Sequence, residues 1–229
     1  MTAGDIMNSY LKIFSLLLCL AFVLVSAGCI GSDSNKDDQT GPSVTASAGN
    51  QQEPTRILVV YFSRTGEQYN VGEITEGNTA VVAGMIADKT GADVFEIIPA
   101  ENRYPRTYDE LLEAAQKEQD ENARPKYLGK GPDLSDYDTI FIGAPVWWGD
   151  WPMIMYTYFE NNKDGLAGKT LIPFSTHEGS GLSGFDSKLE AVCPESTVGK
   201  GLAVKGTDAQ NDQENVKKAV DEWLSGLGF

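Results

Sequence analysis

The sequence ILVVYFSRTGEQYNVGEITEGNT occupies residues 57–79 and contains the most informative transition in the chain. It begins with β-branched and aromatic residues typical of a buried strand, changes to hydroxyl-bearing residues and glycine, and ends where a helical pattern starts. Such a loop suits phosphate, because unpaired backbone N–H groups and the positive end of a helix dipole face it. It offers hydroxyls from Ser63, Thr65 and Thr79 and an amide from Asn78. The stretch therefore predicts a phosphorylated ligand, with a simple helix N-cap as the alternative.

Several familiar motifs are absent from the sequence. No lysine follows Gly66, and no G-x-G-x-x-G is present, so the loop is neither a Walker loop nor a dinucleotide fingerprint. There is no G-x-S-x-G elbow of a hydrolase and no aspartate cluster of a receiver domain. The single histidine, His177, leaves no multi-histidine metal site, and Cys193 is expected to be a small buried hydrophobe.

Beyond residue 55, apolar runs of strand length alternate with segments of helical period. Strands are predicted at 57–62, 94–98, 139–143, 170–174 and 198–204, and helices at 79–90, 107–122, 152–160, 187–192 and 213–224. Strands separated by helices predict an α/β fold with a doubly wound, five-stranded parallel sheet. We expect the strand order 2-1-3-4-5, with a ligand beyond the carboxyl ends of the strands where that order reverses.

Three unusual loops follow strands one, three and four, which adjoin each other in this order. The first is the hydroxyl loop. The second, 145–149, places two adjacent tryptophans at a strand end, so at least one should lie outside the core. The third, 176–181, is glycine-rich and lets the backbone approach a flat ligand. Paired tryptophans and glycine-rich loops are each more often structural, but together the three predict a phosphorylated planar aromatic ligand.

These motifs resemble the flavodoxin family over nearly all of residues 55–229. YFSRTG with the later NT is similar to the family's phosphate loop, and IFIGAPVWWG and PFSTHEGSG are similar to its two flavin loops. The resemblance implies FMN as the cofactor. It implies that the phosphate is held by Ser63, Arg64, Thr65, Asn78 and Thr79. It implies that the flavin ring is flanked by Pro145, Val146, Trp147, Trp148 and Gly149 on one side, and by Thr176, His177, Glu178, Gly179 and Gly181 on the other. His177 is also the candidate catalytic residue, as a proton donor.

One segment departs from the family pattern. Residues 67–77 separate Gly66 from Asn78, where the family usually passes directly from Thr-Gly to Asn-Thr. Loop insertions cost little free energy, but this one lies at the phosphate. We expect 63–65 and 78–79 to meet in space, with the insertion bulging out as a flap that carries Tyr69 and Glu73 over the ligand.

The N-terminal region reads as a targeting segment. Residues 1–28 have the charge and apolar run of a signal peptide, and SAGC at 26–29 resembles a bacterial lipoprotein cleavage site with Cys29 as the lipidated residue. Ser26 departs from the leucine usual in that motif. Cleavage without lipid, giving a secreted protein, and an uncleaved anchor are the alternatives. Residues 29–54 are predicted to be a disordered tether, so the expected location is extracytoplasmic, with membrane attachment through the lipid alone.

The net charge and the implied cofactor together limit the candidate functions. A formal net charge of −15 argues against nucleic acid or anionic lipid surfaces as partners. The acidic helix at 107–122 is a solvated face or a docking surface for a basic redox partner. Two redox functions are open: an electron carrier with a redox partner protein, or an NAD(P)H- or partner-driven FMN reductase of quinones or other small acceptors. A cell-surface binding module that has lost flavin is the third hypothesis.

Overall fold

The computed structural model describes residues 56–101 and 104–229. The predicted signal peptide, the lipidation site at Cys29 and the tether lie outside these residues. Within the described ranges, none of the helices has both the length and the apolar character that a membrane crossing needs.

Strands and helices alternate along the described chain, as predicted. The strands are β1 (Ile57–Tyr61), β2 (Gly66–Gln68), β3 (Gly72–Ile74), β4 (Asp93–Glu96), β5 (Thr139–Pro145), β6 (Thr170–His177), β7 (Thr197–Val198) and β8 (Leu202–Lys205). The α-helices are α1 (Asn78–Thr90), α2 (Tyr108–Asp120), α3 (Met153–Asn161), α4 (Lys163–Leu166), α5 (Phe185–Val192), α6 (Gly206–Asn211) and α7 (Gln213–Leu227). A single 3-10 turn at Leu134–Asp136 precedes β5.

The main sheet is parallel and has the predicted order. β1 pairs with β4 on one side and β5 on the other, β5 pairs with β6, and β7 and β8 pair with the far edge of β6. The order of the strands across the sheet is β4-β1-β5-β6, with β7 and β8 together as one interrupted edge strand. When these five strands are numbered in chain order, without the hairpin strands, they lie as 2-1-3-4-5. The carboxyl ends of β1, β5 and β6 are therefore neighbours, at the place where the strand order reverses.

The fifth strand is not continuous, which corrects the prediction of one strand at 198–204. Gly199 N donates to Leu171 O at 2.8 Å, so Leu171 faces this edge, and so does Pro173 two residues later. Proline has no N–H to donate to a ladder, and the edge strand breaks beside it. Gly201 is needed there because an added Cβ would lie 2.9 Å from Pro173 O.

Each face of the sheet has its own apolar core. Along β1, Leu58 and Val60 pack into one cluster and Val59 into the other, and all three are fully buried. The first cluster lies under α3 and α5, and the second under α1 and α7. This alternation with a period of two is what a parallel strand covered on both faces requires.

Four features were not predicted from the sequence. The first is an antiparallel hairpin, β2 with β3, which Gly66 forms with the inserted segment 67–77 and whose register pairs Gly66 with Ile74. The other three are α4, α6 and the 3-10 turn. Strand β6 also runs three residues beyond its predicted end at 174, which brings His177 to the sheet's edge. The second strand ends at Glu96 and not at 98.

Candidate functional site

A cleft of about 420 Å³ lies at the carboxyl ends of β1, β5 and β6. Its size is within the range of small-molecule sites. All three predicted loops contribute to it, together with the hairpin and one side of α2. The lining residues are Gln68, Tyr69, Asn78, Tyr108, Leu111, Leu112, Ala115, Pro145, Val146, Trp147, Trp148, Gly149, Thr176, His177, Glu178 and Ser180.

The two halves of the hydroxyl loop meet despite the insertion. Ser63 Oγ accepts a hydrogen bond from Ala80 N at 3.0 Å, in the first turn of α1. Gly77, the residue before the helix, packs so closely that an added Cβ would overlap Ser63 Oγ and lie 2.7 Å from Arg64 O. The loop is therefore closed, with the hairpin leaving it on one side as the sequence analysis expected.

The polar side chains of this loop have different surroundings. Thr79 is 1% exposed, and its hydroxyl is 2.7 Å from the hydroxyl of Thr176 at the end of β6. This buried bond ties the first loop to the third. Asn78 lines the cleft, whereas Thr65 is exposed outside it. Of the side chains predicted to hold the phosphate, Asn78 is therefore the one that lines the cleft.

Arg64 has a structural role that the sequence did not reveal. Its guanidinium donates to Pro105 O from Nε at 3.0 Å and also from Nη2, and to Glu67 O from Nη1 at 2.6 Å. These carbonyls lie at the base of the hairpin and just before α2. Arg64 therefore fastens the insertion to the body of the protein through its side chain, and contributes only its backbone to the closed loop.

The second loop is a tight turn that separates the two tryptophans. Trp147 and Asp150 exchange two backbone hydrogen bonds of 3.0 Å, and the residues between them, Trp148 and Gly149, have φ of 50° and 72°. Two positive φ values in a two-residue turn define type I′. Trp147 packs edge-on against Phe62, with ring centroids 5.4 Å apart. Trp148 projects outward and is 51% exposed.

A left-handed conformation is unusual for tryptophan and costs about 1–2 kcal/mol, so the surrounding structure must hold it. Asp150 Oδ1 accepts from Trp151 N at 2.7 Å and from Tyr156 Oη at 2.9 Å, and forms an ion pair with Lys188 Nζ at 3.1 Å. Lys188 also donates to Gly149 O at 2.5 Å. These bonds fix the turn from behind. Burial, followed by the bond to Asp150, raises the pKa of Tyr156, which keeps this hydroxyl protonated.

Trp148 leans across the cleft towards α2. Its indole Nε1 donates to Leu112 O at 3.0 Å. The indole ring thereby keeps a defined position although half of its surface is exposed. Aromatic side chains therefore line the cleft from two elements, Trp148 from the second loop and Tyr108 from α2.

His177 in the third loop has a defined tautomer. Gly179 N donates to His177 Nδ1 at 2.8 Å, so Nδ1 is unprotonated and a neutral ring carries its proton on Nε2. Burial lowers the pKa of His177 below its ordinary value of 6.5. The ring is therefore neutral at pH 7 and has one N–H donor, Nε2, on a residue that lines the cleft. Gly179 adopts φ 122°, which favours glycine.

Glu178 lines the cleft, and its carboxylate is bound to α6. Its carboxylate accepts from Thr207 N at 2.6 Å and from Thr207 Oγ1 at 2.5 Å. The next turn of α6 contacts the first loop, because Gln210 Nε2 donates to Asn78 Oδ1 at 2.9 Å. The short helix thus supports residues from two loops.

The hairpin forms a fixed wall beside α2. Tyr69 stacks on Tyr108 with ring centroids 5.5 Å apart and an interplanar angle of 27°. Glu67 accepts from Tyr108 N at 2.9 Å, which satisfies a free N–H at the start of α2. Glu73 pairs with Arg106. Glu73 therefore anchors the hairpin instead of covering the ligand, whereas Tyr69 lines the cleft as a flap residue should.

The structure gathers nine of the predicted site residues around the cleft. They are Asn78, Pro145, Val146, Trp147, Trp148, Gly149, Thr176, His177 and Glu178. Six others flank it without lining it: Ser63, Arg64, Thr65, Thr79, Gly179 and Gly181. Ser175 Oγ donates to Gly181 O at 3.0 Å, so Gly181 shapes the third loop. Their roles in binding a cofactor stay predictions.

Sequence reasoning did not assign the wall residues of α2 to the site. Tyr108, Leu111, Leu112 and Ala115 line the cleft, and Leu111 and Ala115 are at least 95% buried. Leu111, Leu112 and Ala115 have the spacing of an apolar helical face. That spacing does not show whether the face packs into the core or lines a cleft, because both need apolar side chains.

The doubly wound sheet with its cleft at the reversal of strand order defines a nucleotide-binding type of α/β fold. A comparison with family models matches residues 56–223 to the flavodoxin family. This match covers most of the chain, so the protein belongs to the flavodoxin family. A comparison with curated proteins gave no match.

Solved structures agree with this assignment. A Bacteroides eggerthii protein that is provisionally assigned as a flavoprotein is 28% identical to this chain, with a TM-score of 0.59. The match covers 76% of this chain and 99% of that one. A second such protein, from Bacteroides uniformis, is 30% identical, with a TM-score of 0.58 and coverage of 74% and 99%. A Lactobacillus acidophilus flavoprotein solved in complex with FMN shares the fold at 20% identity and a TM-score of 0.53, with coverage of 69% and 97%.

Proposed function

We propose that this protein binds FMN in the cleft and carries electrons outside the cytoplasmic membrane. The cofactor is FMN. The observation that carries the proposal is the convergence of three loops on one cleft, whose lining includes Asn78, Trp148 and His177. Membership of the flavodoxin family supports it.

The residues present fit this cofactor by the chemistry of their donors. The phosphate would be held at the start of α1, where backbone N–H groups and the helix dipole favour an anion, with Asn78 beside it. The flat ring would lie against Trp148, and His177 Nε2 would donate to its polar edge. FMN supplies one- and two-electron redox chemistry when bound. The protein supplies its position and its electrostatic surroundings.

Those surroundings are acidic. With a net charge of −15 and an aromatic wall, the protein disfavours additional negative charge in the cleft. We therefore expect a low reduction potential. The acidic face of α2 adjoins Trp148 in a shallow groove that includes Asp109, Glu113 and Asp120. A redox partner with a basic surface would be attracted to this side of the protein, although the same charges also serve solubility.

The first test is the visible spectrum of the purified protein. We expect a yellow protein, or a colourless one that turns yellow on addition of FMN. A protein that stays colourless in excess FMN contradicts both redox functions and favours a binding module that has lost flavin. Mixing the yellow form anaerobically with NADPH then separates the remaining two. Slow bleaching with NADPH and rapid bleaching by a reducing protein partner are expected for a carrier.

An FMN reductase is the second candidate, and the place of His177 in the lining of the cleft favours it. The neutral ring can donate a hydrogen bond from Nε2 to an oxygen of a small acceptor such as a quinone, but its lowered pKa argues against the predicted role of proton donor. Rapid bleaching by NADPH, followed by reoxidation by quinones that slows in His177→Asn, would support this function over the carrier.

The location is proposed from the N-terminal sequence. Cys29 follows a signal-like segment, and a lipid there would hold the protein at the membrane surface through residues 29–54. Cys29→Ala should release the protein from the membrane fraction of the producing bacterium. Retention of that variant in the membrane would support an uncleaved anchor instead, and a wild-type protein found only in the medium would support secretion.

A further inference from the structure

The short helix α6 makes a polar connection to the cleft that no motif predicted. Gln210 Nε2 donates to Asn78 Oδ1 at 2.9 Å and to Glu76 O at 3.0 Å. A backbone carbonyl only accepts hydrogen bonds, so the group of Gln210 that faces Glu76 O must be its amino group. The same amino group faces Asn78, and the atom of Asn78 that it contacts must therefore be the carbonyl oxygen.

This contact decides which end of the Asn78 side chain is available to a ligand. With Oδ1 occupied by Gln210, the amino group Nδ2 remains as the donor end of a residue that lines the cleft. An amide rotated by half a turn would present its oxygen and repel a phosphate. Gly206 keeps space for Nδ2, because an added Cβ there would overlap Nδ2 and lie 3.0 Å from Glu178 Oε1.

We propose that Gln210 is a positioning residue that orients the Asn78 amide for an anion, so that it makes the cleft selective for a phosphorylated flavin over the unphosphorylated one. This inference rests on the proposed function. The ligand chemistry concerned is the phosphate monoester of FMN, and riboflavin is the matched ligand that lacks it.

The main test is Gln210→Glu, assayed by quenching of flavin fluorescence with FMN and with riboflavin in parallel. A carboxylate cannot donate to Asn78 Oδ1 or to Glu76 O, so the Asn78 amide should rotate and offer its oxygen to the phosphate. Because a hydrogen bond to a charged group is lost, we expect FMN affinity to fall roughly 10- to 100-fold. Riboflavin affinity should change less than about twofold, because riboflavin has no phosphate for the Asn78 amide to contact and a group that makes no contact couples only weakly.

Gln213→Glu is the control for charge alone. Gln213 is exposed at the start of α7, three positions further along the chain, and its replacement adds the same negative charge. It should leave the ratio of the two affinities unchanged. Asn78→Asp is a second variant that does not depend on how α6 tolerates substitution. It keeps an oxygen for Gln210 and replaces Nδ2 by an oxygen, so it should also weaken FMN and spare riboflavin.

A double-mutant cycle separates positioning from a general structural role. In an Asn78→Ala background, Gln210→Glu should have no more effect than Gln213→Glu, because the residue through which Gln210 acts is gone. An unchanged FMN-to-riboflavin ratio in Gln210→Glu overturns the inference, and so does an equal loss of both flavins. If the wild-type protein binds the two flavins equally, the phosphate assignment itself fails. If it binds neither, the proposed function fails as well.

Discussion

The two ends of the cleft are built on different principles. At the end near α1, Thr79 and Thr176 are 1% and 3% exposed and share a hydrogen bond, and the Asn78 amide is held by Gln210. At the other end, Trp148 and Tyr69 are 51% and 52% exposed. The first end consists of buried polar groups that support each other, and the second of aromatic surfaces open to solvent.

This difference suggests a division of labour. Buried hydrogen bonds lose much when one partner is removed, because the other is left unsatisfied. Such an end suits tight and selective recognition of a phosphate. Half-exposed aromatic rings contribute less to affinity but leave a path for electrons or a substrate. Variants at the two ends should therefore differ in whether they change the preference for FMN over riboflavin.

The largest effect is expected for Gly77→Ala, which should break the buried end. Its φ of −70° is acceptable for alanine, but the new methyl group would overlap Ser63 Oγ and crowd the backbone of Arg64. Because the two halves of the loop must move apart, the free energy of unfolding should fall by about 1–3 kcal/mol. Selectivity for FMN should disappear. Urea unfolding and flavin titration measure the two effects.

Gly84→Ala is the matched control for that substitution. Gly84 lies within α1, the helix that Gly77 precedes, and a Cβ there meets nothing within 4 Å. Alanine should raise the free energy of unfolding by about 0.4–1 kcal/mol. If Gly77→Ala behaves like Gly84→Ala, the close contact between the loop halves has been overestimated, and the division between the two ends loses its main support.

The next effect concerns ligand recognition at the buried end. Asn78→Ala removes the proposed donor to phosphate without adding bulk, so FMN should bind roughly 10- to 100-fold more weakly. Riboflavin affinity should be nearly unchanged. Fluorescence titration at two salt concentrations provides the measurement. Equal weakening of the two flavins would place the phosphate somewhere other than the start of α1.

A smaller effect with the opposite signature is expected at the aromatic end. Trp148→Asn puts the preferred residue of a type I′ turn at a position with φ 50°. The free protein should gain about 1 kcal/mol of stability as strain is released. FMN and riboflavin should both bind about 3- to 10-fold more weakly, since an aromatic contact of about 0.5–1.5 kcal/mol is lost. A change in the ratio of the two affinities would contradict the division.

The smallest effect is the pH dependence of stability due to His177. Its pKa is lowered by burial in the folded protein, so the unfolded chain takes up a proton first as the pH falls. The stability associated with the neutral form of His177 is present above the pKa of the unfolded state, near 6.5. It is lost as the pH falls through the lower pKa of the folded state. His177→Asn keeps an acceptor for Gly179 N and should show a flatter stability profile between pH 7.5 and 5.5.

Much of the fold could be predicted because its signals are local. The apolar runs of β1 and β5 and the glycine that ends α1 are each readable within a few residues, and the right-handed crossover rule then restricts the topology. Pro173 also carried a readable signal, since a proline in a predicted strand indicates a missing ladder bond. The hairpin was less accessible, because β2 and β3 are each only three residues long.

The candidate site also has features that the sequence predicts and features that it does not. The sequence by itself determined three loops, their types of donor and their convergence at one edge of the sheet, because parallel strands bring their carboxyl ends together. Only the tertiary structure decided that Trp147 packs inward and Trp148 outward, since that depends on how the turn is braced by Asp150. It also decided that Gln210 contacts Asn78 across 132 positions in the chain. Hydrogen bonds between side chains so far apart depend on how the helices pack, and no local pattern encodes them.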